Sequence, residues 1–503
     1  MSGFAVSIGS DTPSPVDKMD RVMTHRGTFA VGSVRLENAV VAQRHLNADI
    51  PEADTDAPAV PFTTDGLAVA WDGQLGDLHT LEQHYKTDSE QPLREERLLA
   101  TMYRRDGAKL FEKLDDAVFT FAITDGTRLL AARDVLGIKT LFYGYKDGVL
   151  LLSSELKGLA AVTDDVREFP AGHYMIEDGT LTRFAELPSS PPPPTDKPVE
   201  AICEDIRSII ADSIDQRVNF HRPTGALLSG GMDSSVICAL AAPRYREQMG
   251  RPLKTFVVGL GESGDIVNAR LMADHLGTDH QELIVDINRV MEVLPEVVYH
   301  LESFDPSLVR SAVSNYLISR EAADQGIEVL LSGEGGDEIF CGYTYLKKFP
   351  PEQMFARQME CLGYLHSNAS LRLDRMNQCN GIRVVAPLIS GRLLDYTLTV
   401  PAELKQKPEE DRKVEKWIFR KAYEGVLPEQ ITWRLKQEFS QGSGSADQLP
   451  GQFDRMIRDD ELTEAQQQFS FIRSKEELYY FRIFTEHFGT GRAVETVGQW
   501  VTL

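Results

Sequence analysis

Short apolar runs broken by Gly, Asp and Asn recur through the first 187 residues. Val118–Ile123, Leu129–Ala132, Leu141–Tyr145 and Val149–Ser153 are examples. Runs of that length between turn residues predict a sheet-rich domain. One stretch differs: Glu95–Arg105 places Leu98, Leu99 and Met102 on one face, which predicts a helix. The run Pro188-Ser-Ser-Pro-Pro-Pro-Pro-Thr-Asp-Lys-Pro198 then interrupts every periodicity. Proline at that density predicts a stiff, extended linker. The expected organisation is a domain over 1–187, a linker over 188–198 and a second domain over 199–503.

Beyond the linker the pattern alternates. Val199–Val218, Ser234–Leu240, Asn268–Leu276, Val290–Leu301 and Leu308–Gln325 read as helices. Ala226–Leu228, Thr255–Leu260, Glu282–Val285 and Glu328–Leu331 read as strands. Strands alternating with helices predict a parallel, doubly wound sheet. From Pro350 onward the chain reads as mostly helical. No internal repeat is present.

Bulk properties narrow the picture. A chain of 503 residues is too long for one hydrophobic core. The composition, 42% hydrophobic and 26% charged, is that of a soluble globular protein. Net charge is 53 − 76 = −23, which argues against broad binding to nucleic acid or an anionic membrane. No apolar run reaches the ~18 residues of a membrane span, and no signal peptide is evident. Cys203, Cys238, Cys341, Cys361 and Cys379 form no CxxC pair and no zinc-type cluster. The expectation is a cytoplasmic protein with free thiols.

The chemistry concentrates in three places. In Gly225-Ala-Leu-Leu-Ser-Gly-Gly-Met-Asp-Ser-Ser235 a strand leads through a Gly-rich turn into a helix. Glycines let the backbone approach an anion, and the helix N-terminus offers N–H groups and a positive dipole. The serine hydroxyls can donate to phosphate oxygens. Asp233 suits a magnesium ion better than a phosphate. The GKS/GKT ending of a Walker A loop is absent. The second place, Leu330-Leu-Ser-Gly-Glu-Gly-Gly-Asp-Glu-Ile-Phe-Cys-Gly-Tyr343, again follows a strand and gathers Glu334, Asp337 and Glu338. By itself it reads equally well as an acidic turn. The third, Trp433-Arg-Leu-Lys-Gln-Glu-Phe-Ser-Gln-Gly-Ser-Gly444, sets a lysine before a Gly-rich stretch. A lysine there can reach a phosphate, although most lysines are solvated.

SGGMDSS resembles the signature of PP-loop ATP pyrophosphatases. In their order, the three clusters resemble the glutamine-dependent asparagine synthetase family across nearly the whole chain. His25-Arg-Gly27, Ala132-Arg-Asp-Val-Leu-Gly-Ile-Lys139, Ser154-Glu-Leu-Lys157 and Ala273-Asp-His-Leu-Gly-Thr278 add to the resemblance, as does Ser474-Lys-Glu-Glu-Leu-Tyr-Tyr-Phe-Arg482. It implies an α/β protein: an N-terminal Ntn-type α/β/β/α sandwich, then a doubly wound parallel-sheet PP-loop domain with a helical C-terminal part. It also implies ATP and Mg2+ as cofactors, and an acyl-adenylate that an amine resolves.

By the same resemblance, Ser229, Gly230, Gly231, Ser234 and Ser235 cradle pyrophosphate. Leu228, Val258, Ser332 and Gly333 line the nucleotide. Asp233 and Asp337 ligate the metal, and Lys436 stabilises charge on the leaving phosphates. Glu334 supports adenylation and the incoming ammonia, and Arg310 binds the amino-acid substrate. The partners implied are a small-molecule carboxylate and amine, with a homodimer left open.

The chain departs from the family at its start. The family's glutaminase nucleophile is a cysteine after the initiator Met, and Ser2 stands there instead. A serine hydroxyl is a far poorer nucleophile at neutral pH than a thiol. The family's NGE segment reads Asp72-Gly-Gln74, Glu95 replaces a glutamine-gripping Asp, and the RLxIxD loop becomes Arg44-His-Leu-Asn-Ala-Asp49. Together these predict a domain without glutaminase activity, so that nitrogen comes from ammonia or a substrate amine. In the second domain Arg383 and Val385 replace a family Glu and Arg, and Leu308 replaces a Thr. These changes alter either the acyl substrate or only the packing. Aspartate to asparagine is the leading reaction. A specialised amide synthetase, of the β-lactam synthetase or lasso-peptide cyclase kind, is the alternative. A non-catalytic regulatory paralogue is a second, and it predicts damage to an ATP site that the sequence leaves whole.

Overall fold

The computed structural model describes residues 2–9, 15–50, 57–87, 94–114, 116–261, 263–409, 412–436 and 449–499. The chain divides into two compact units. The first is Met1–Ser189 with Ser390–Arg392 and Gly491–Thr496; the second is Ser190–Ile389 with Leu393–Thr490 and Val497–Leu503. The described residues 184–198 form no helix or strand.

Among the described residues the first unit holds twelve strands: β1 (Ser2–Ile8), β2 (Ala30–Arg35), β3 (Ala39–His45), β4 (Phe62–Thr64), β5 (Leu67–Gln74), β6 (Val118–Thr124), β7 (Leu129–Arg133), β8 (Phe142–Lys146), β9 (Val149–Ser153), β10 (Val166–Glu168), β11 (His173–Ile176) and β12 (Leu181–Arg183). They form two six-stranded sheets, ordered β10-β8-β9-β1-β3-β2 and β12-β11-β7-β6-β5-β4. Alternation along a strand separates two cores. Ala68 and Ala70 of β5 face the layer between the sheets, beside Phe4, Val6 and Val41. Val69 and Trp71 face the opposite way, onto Leu98, Leu99 and Met102 of helix α1 (Arg94–Asp106). The small side chains of Ala68, Ala70, Ala122 and Ala131 line the space between the sheets. Gln43 ties the sheets together: its Nε2 donates to the Trp71 carbonyl and its Oε1 accepts from the Trp71 N–H, both at 2.9 Å.

The second unit is built on a parallel sheet of β13 (Thr224–Leu227), β14 (Lys254–Leu260), β15 (Asp279–Val285), β16 (Val329–Leu331) and β17 (Arg383–Val385), in the order β15-β14-β13-β16-β17. Every pairing in it is parallel. β13 and β16 are neighbours, so the loops after them emerge side by side at one edge, the usual ligand position in such sheets. β13 runs through a turn into α2 (Met232–Met249), and β16 into the one-turn α3 (Gly336–Ile339). The helix read at Ser234–Leu240 is thus the middle of a longer one, which continues through Pro243. The region after Pro350 is not wholly helical. β17 completes the sheet there, and Gln406–Glu409 pairs with Arg412–Glu415 in a hairpin. Among the described residues no helix is long and apolar enough to cross a membrane. All five cysteines are free thiols.

Candidate active site

The two adjacent loops touch backbone to backbone. A Cβ on Gly333 would lie 2.5 Å from the Ser234 nitrogen, and one on Gly336 2.6 Å from Asp233 Cγ. Only glycine allows that approach. It brings the N-terminus of α2 and its Asp233 against α3 and its Asp337. A cavity of about 210 Å3 opens there, between the sheet edge, the loops and two further helices.

Most of the residues singled out in the sequence line this cavity. Leu228, Ser229, Gly231, Asp233, Ser234, Val258, Ser332, Gly333, Glu334, Asp337 and Lys436 are in its wall. Ser229 and Ser234 share a hydroxyl–hydroxyl hydrogen bond of 3.1 Å, and the Gly231 N–H donates to Ser229 Oγ at 3.3 Å. Gly230 takes the turn at φ +67°. Ser235 is fully buried, with its Oγ outside the wall and without a hydrogen-bond partner. The Gly-rich residues after Lys436, Gln437–Gly444, lie outside the described residues.

Arg310 is placed elsewhere. Its guanidinium grips Glu476 of the Lys475–Phe488 helix, with Nε–Oε1 at 2.9 Å and Nη2–Oε2 at 2.5 Å, and it does not line the cavity. Its helix α4 (Pro306–Asp324) contributes Ser307, Ser311 and Asn315 instead, at successive four-residue steps on one face. Asn315 is 2% exposed and its Nδ2 has no hydrogen-bond partner. Arg372 of α5 (Ala369–Gln378), ion-paired to Glu334, lines the cavity as well.

The main residue that the sequence reading missed is Lys416. It follows the hairpin in a left-handed conformation, φ 54°, and is 2% exposed. Its Nζ bridges Asp233 Oδ2 at 2.5 Å and Asp337 Oδ1 at 2.7 Å. Lys436 Nζ sits 2.6 Å from Asp337 Oδ2. Arg434 pairs with Asp265 at 2.8 Å and donates to the Ser229 carbonyl at 3.3 Å. Lys416, Lys436, Arg434 and Arg372 thus surround the cavity, each against a carboxylate.

Titration follows from that pairing. Burial alone would raise the Asp337 carboxyl, but Lys416 and Lys436 outweigh it and hold the group well below the usual carboxylate range. Burial would lower Lys436, but Asp337 and Asp233 hold it above its ordinary value. Both groups are charged at neutral pH. Glu338 behaves oppositely: burial, then Asp337 and Glu334, push it up to about 7, and it accepts the Tyr343 hydroxyl at 2.6 Å.

Residues 205–363 and 348–493 match the asparagine synthase family model, and residues 1–184 match the glutamine amidotransferase domain model. Asparagine synthetase B [glutamine-hydrolyzing] of Escherichia coli (strain K12) is 31% identical, over 95% of this chain and 89% of that protein. The Zea mays asparagine synthetase [glutamine-hydrolyzing] is 30% identical, over 96% and 85%. The chain belongs to the asparagine synthetase family. Among solved structures, a glutamine phosphoribosylpyrophosphate amidotransferase from B. subtilis is 17% identical, covering 52% of this chain and 66% of that one with a TM-score of 0.31.

As a member of that family the protein is a carbon–nitrogen ligase, and its cavity depends on a tight crossing. Lys416 reaches the carboxylates by passing over Gly342, where a Cβ would meet Lys416 Cε at 1.9 Å and Asp337 Oδ1 at 2.1 Å. Gly342→Ala is therefore expected to displace both groups and to lower ligase turnover by about 100-fold, the usual cost of a misplacement near 1 Å. A pyrophosphate-release assay beside a thermal melt checks it. Wild-type turnover in the folded variant would refute the placement.

In the first unit, the amidotransferase-like domain of the family, Ser2 opens β1 and is 2% exposed. Its N–H donates to Asp72 Oδ1 at 3.1 Å. Asp72 also accepts Arg26 Nη2 at 2.9 Å and faces Lys139 Nζ at 3.3 Å. Arg26, fully buried, continues to Glu155 at 2.8 Å, and Glu155 also faces Lys157 at 2.6 Å and His25 at 2.9 Å. Glu95 accepts the Leu75 N–H at 2.8 Å and Trp71 Nε1 at 3.2 Å.

Proposed function

We propose that the second unit transfers AMP from ATP to a carboxylate, aspartate in the leading case, and that ammonia resolves the adenylate to give asparagine. The observation that carries this reading is the convergence of Asp233, Asp337, Lys416 and Lys436 on the cavity behind the SGGMDSS turn. In this reading Leu228 and Val258 flank the nucleotide base. The α2 N-terminus with Ser229 and Ser234 receives the phosphates. Lys416 and Lys436 meet charge that develops on the departing pyrophosphate, held in place beforehand by their carboxylates. The acyl substrate occupies the wall of Ser307, Ser311, Asn315 and Arg372, with Glu334 at the junction, and Arg310 is left a structural role through Glu476.

Magnesium fits the donor set. Asp233 and Asp337 offer hard oxygen ligands, and Asp233 Oδ1 is buried without a hydrogen-bond partner. Among the described residues no group of three or more His, Cys, Asp or Glu is poised for a metal. Two carboxylates with phosphate oxygens are the usual magnesium arrangement. Asp233 and Asp337 would hold the ion, which when bound neutralises phosphate charge.

The nitrogen source rests on the first unit. Asp72, in contact with two cations, accepts hydrogen bonds and so offers no donor to an oxyanion. Each Glu95 oxygen already accepts one hydrogen bond, from Leu75 and Trp71, which competes with a grip on a glutamine amine. With aspartate, ATP and magnesium, ammonium is expected to support stoichiometric AMP, pyrophosphate and asparagine, and glutamine is not. No pyrophosphate from any amino-acid carboxylate would favour the idle-paralogue reading. Equal or better use of glutamine would sink the ammonia assignment.

A further inference from the structure

β14 lies beside β13 in the sheet and is followed by the helix Gly264–Leu276. Asp265 stands buried in the first turn of that helix, where the helix dipole favours a carboxylate. The helix is pressed onto the phosphate turn: a Cβ on Gly230 would lie 2.4 Å from the Asn268 carbonyl carbon. Arg434 spans the two. Its Nη2 lies 2.8 Å from Asp265 Oδ1, and its Nη1 donates to the Ser229 carbonyl at 3.3 Å. Leu435, the next residue, is 65% exposed, whereas Arg434 and Lys436 on either side each reach a buried carboxylate. That alternation has the period of two of an extended backbone, so both cations leave the chain on the same side. The start of the segment is anchored separately. Arg420 Nη1 donates to the Thr432 carbonyl, and Arg420 Nη2 is held by Glu415 at 2.6 Å.

We propose that Asp265 and Arg434 are positioning residues for pyrophosphate departure, a role that rests on the adenylation reading. The pair clamps the chain across the phosphate turn and so sets where Lys436 Nζ stands, 2.6 Å from Asp337 Oδ2. A lysine head on a flexible four-carbon stem is placed only as well as the backbone that carries it. Asp337 holds the head of Lys436, and Arg434, two residues earlier, holds the backbone. A guanidinium suits the task because its rigid fork serves a carboxylate and a carbonyl at once, which a single ammonium does less well. The choice of partners matters too. Ser229 opens the turn proposed to receive the phosphates, and Lys436 is proposed to meet the charge that leaves with them. Arg434 ties one to the other, so cradle and lysine keep a fixed spacing, as electrostatic preorganisation requires. Asp265 acts through Arg434, and both act through Lys436.

Two readouts on the full chain test it. Acetylation of Lys436 by sulfosuccinimidyl acetate, followed by peptide mapping, needs neither ATP nor a carboxylate substrate. It is expected to run about 10-fold faster in Asp265→Asn, because an ammonium moved away from Asp337 gives up its proton more readily. Pyrophosphate release is expected to fall by about 100-fold in the same variant, with the KM for ATP changed far less. In a Lys436→Met background, Asp265→Asn is expected to cost less than about 3-fold more, since a residue that acts through the lysine has nothing left to place. Arg434→Gln is expected to repeat each result and stands in if Asp265→Asn does not fold; thermal melts identify the folded variants. Unchanged Lys436 acetylation in the folded variants overturns the proposal. So does a loss of turnover equally large in the Lys436→Met background, which would mark a structural role. A wild-type chain that releases no pyrophosphate from any amino-acid carboxylate overturns the adenylation reading and this role with it, although not the clamp that acetylation reads.

Discussion

Replacing Asp337 with asparagine is expected to lower pyrophosphate release by about 1,000-fold, at the upper end for loss of one electrostatic group in a closed site. Asp337 is the only residue described in contact with both site lysines, at 2.7 Å to Lys416 and 2.6 Å to Lys436. Asparagine keeps the shape but removes the charge that holds both ammonium groups, and it weakens one of two proposed magnesium ligands. The lysines are then free to collapse onto Asp233. Nucleotide affinity is expected to fall far less, because Leu228 and Val258, proposed to flank the base, are apolar and do not depend on the charge removed. Steady-state pyrophosphate release beside binding of a fluorescent ATP analogue separates the two. Parallel loss of binding and turnover would mean that Asp337 only supports the fold. Near-normal turnover would remove it from the chemistry.

The second large effect falls on stability. Arg26→Met is expected to destabilise the first unit by about 3–5 kcal/mol, the cost of stripping the partner from buried charges. The Arg26 side chain is fully buried and reaches Asp72, Glu155 and the Ser2 carbonyl at once. Lys139 and Lys157 remain, but at 3.3 Å Lys139 is the weaker replacement for Asp72. For a unit of this size that loss moves the melting transition down by roughly 10 °C. Calorimetry of the full chain reads it as a shift in the transition of that unit. Adding Asp72→Asn and Glu155→Gln to Arg26→Met is expected to recover only a small part of the loss, since Lys139 and Lys157, both buried, then lose the carboxylates they face. A shift below about 2 °C for Arg26→Met would show that water or local relaxation solvates the carboxylates.

The strands β13, β14 and β16 and their loops were legible because local pattern and local chemistry agree: apolar runs end in glycines with serines or carboxylates. β17 was not legible. Only three residues pair, and Arg383 at its head reads as polar loop. Lys416 carried no local signal either. A lysine after a charged hairpin looks solvated, and its carboxylates lie far away in sequence, 183 residues away for Asp233. Arg310 shows the same limit in reverse. Its motif pointed to substrate, yet a partner 166 residues on, Glu476, holds the guanidinium. Ser235 follows Ser234 in the motif but lies about 100° further round the helix, which turns it from the wall into the core. Motif order specifies the loops; the direction in which each side chain leaves them belongs to the helix period and to distant partners.

The placement of both loops on neighbouring strands, β13 and β16, has a consequence for how such an enzyme diverges. Their spacing is set by main-chain hydrogen bonds that no side-chain substitution touches. The residues proposed to face the acyl group, Ser307, Ser311, Asn315 and Arg372, ride instead on α4 and α5, where one exchange leaves the sheet undisturbed. Activation and selectivity are therefore separately heritable traits. A lineage can change which acid it consumes while the machinery that energises the acid is passed on intact.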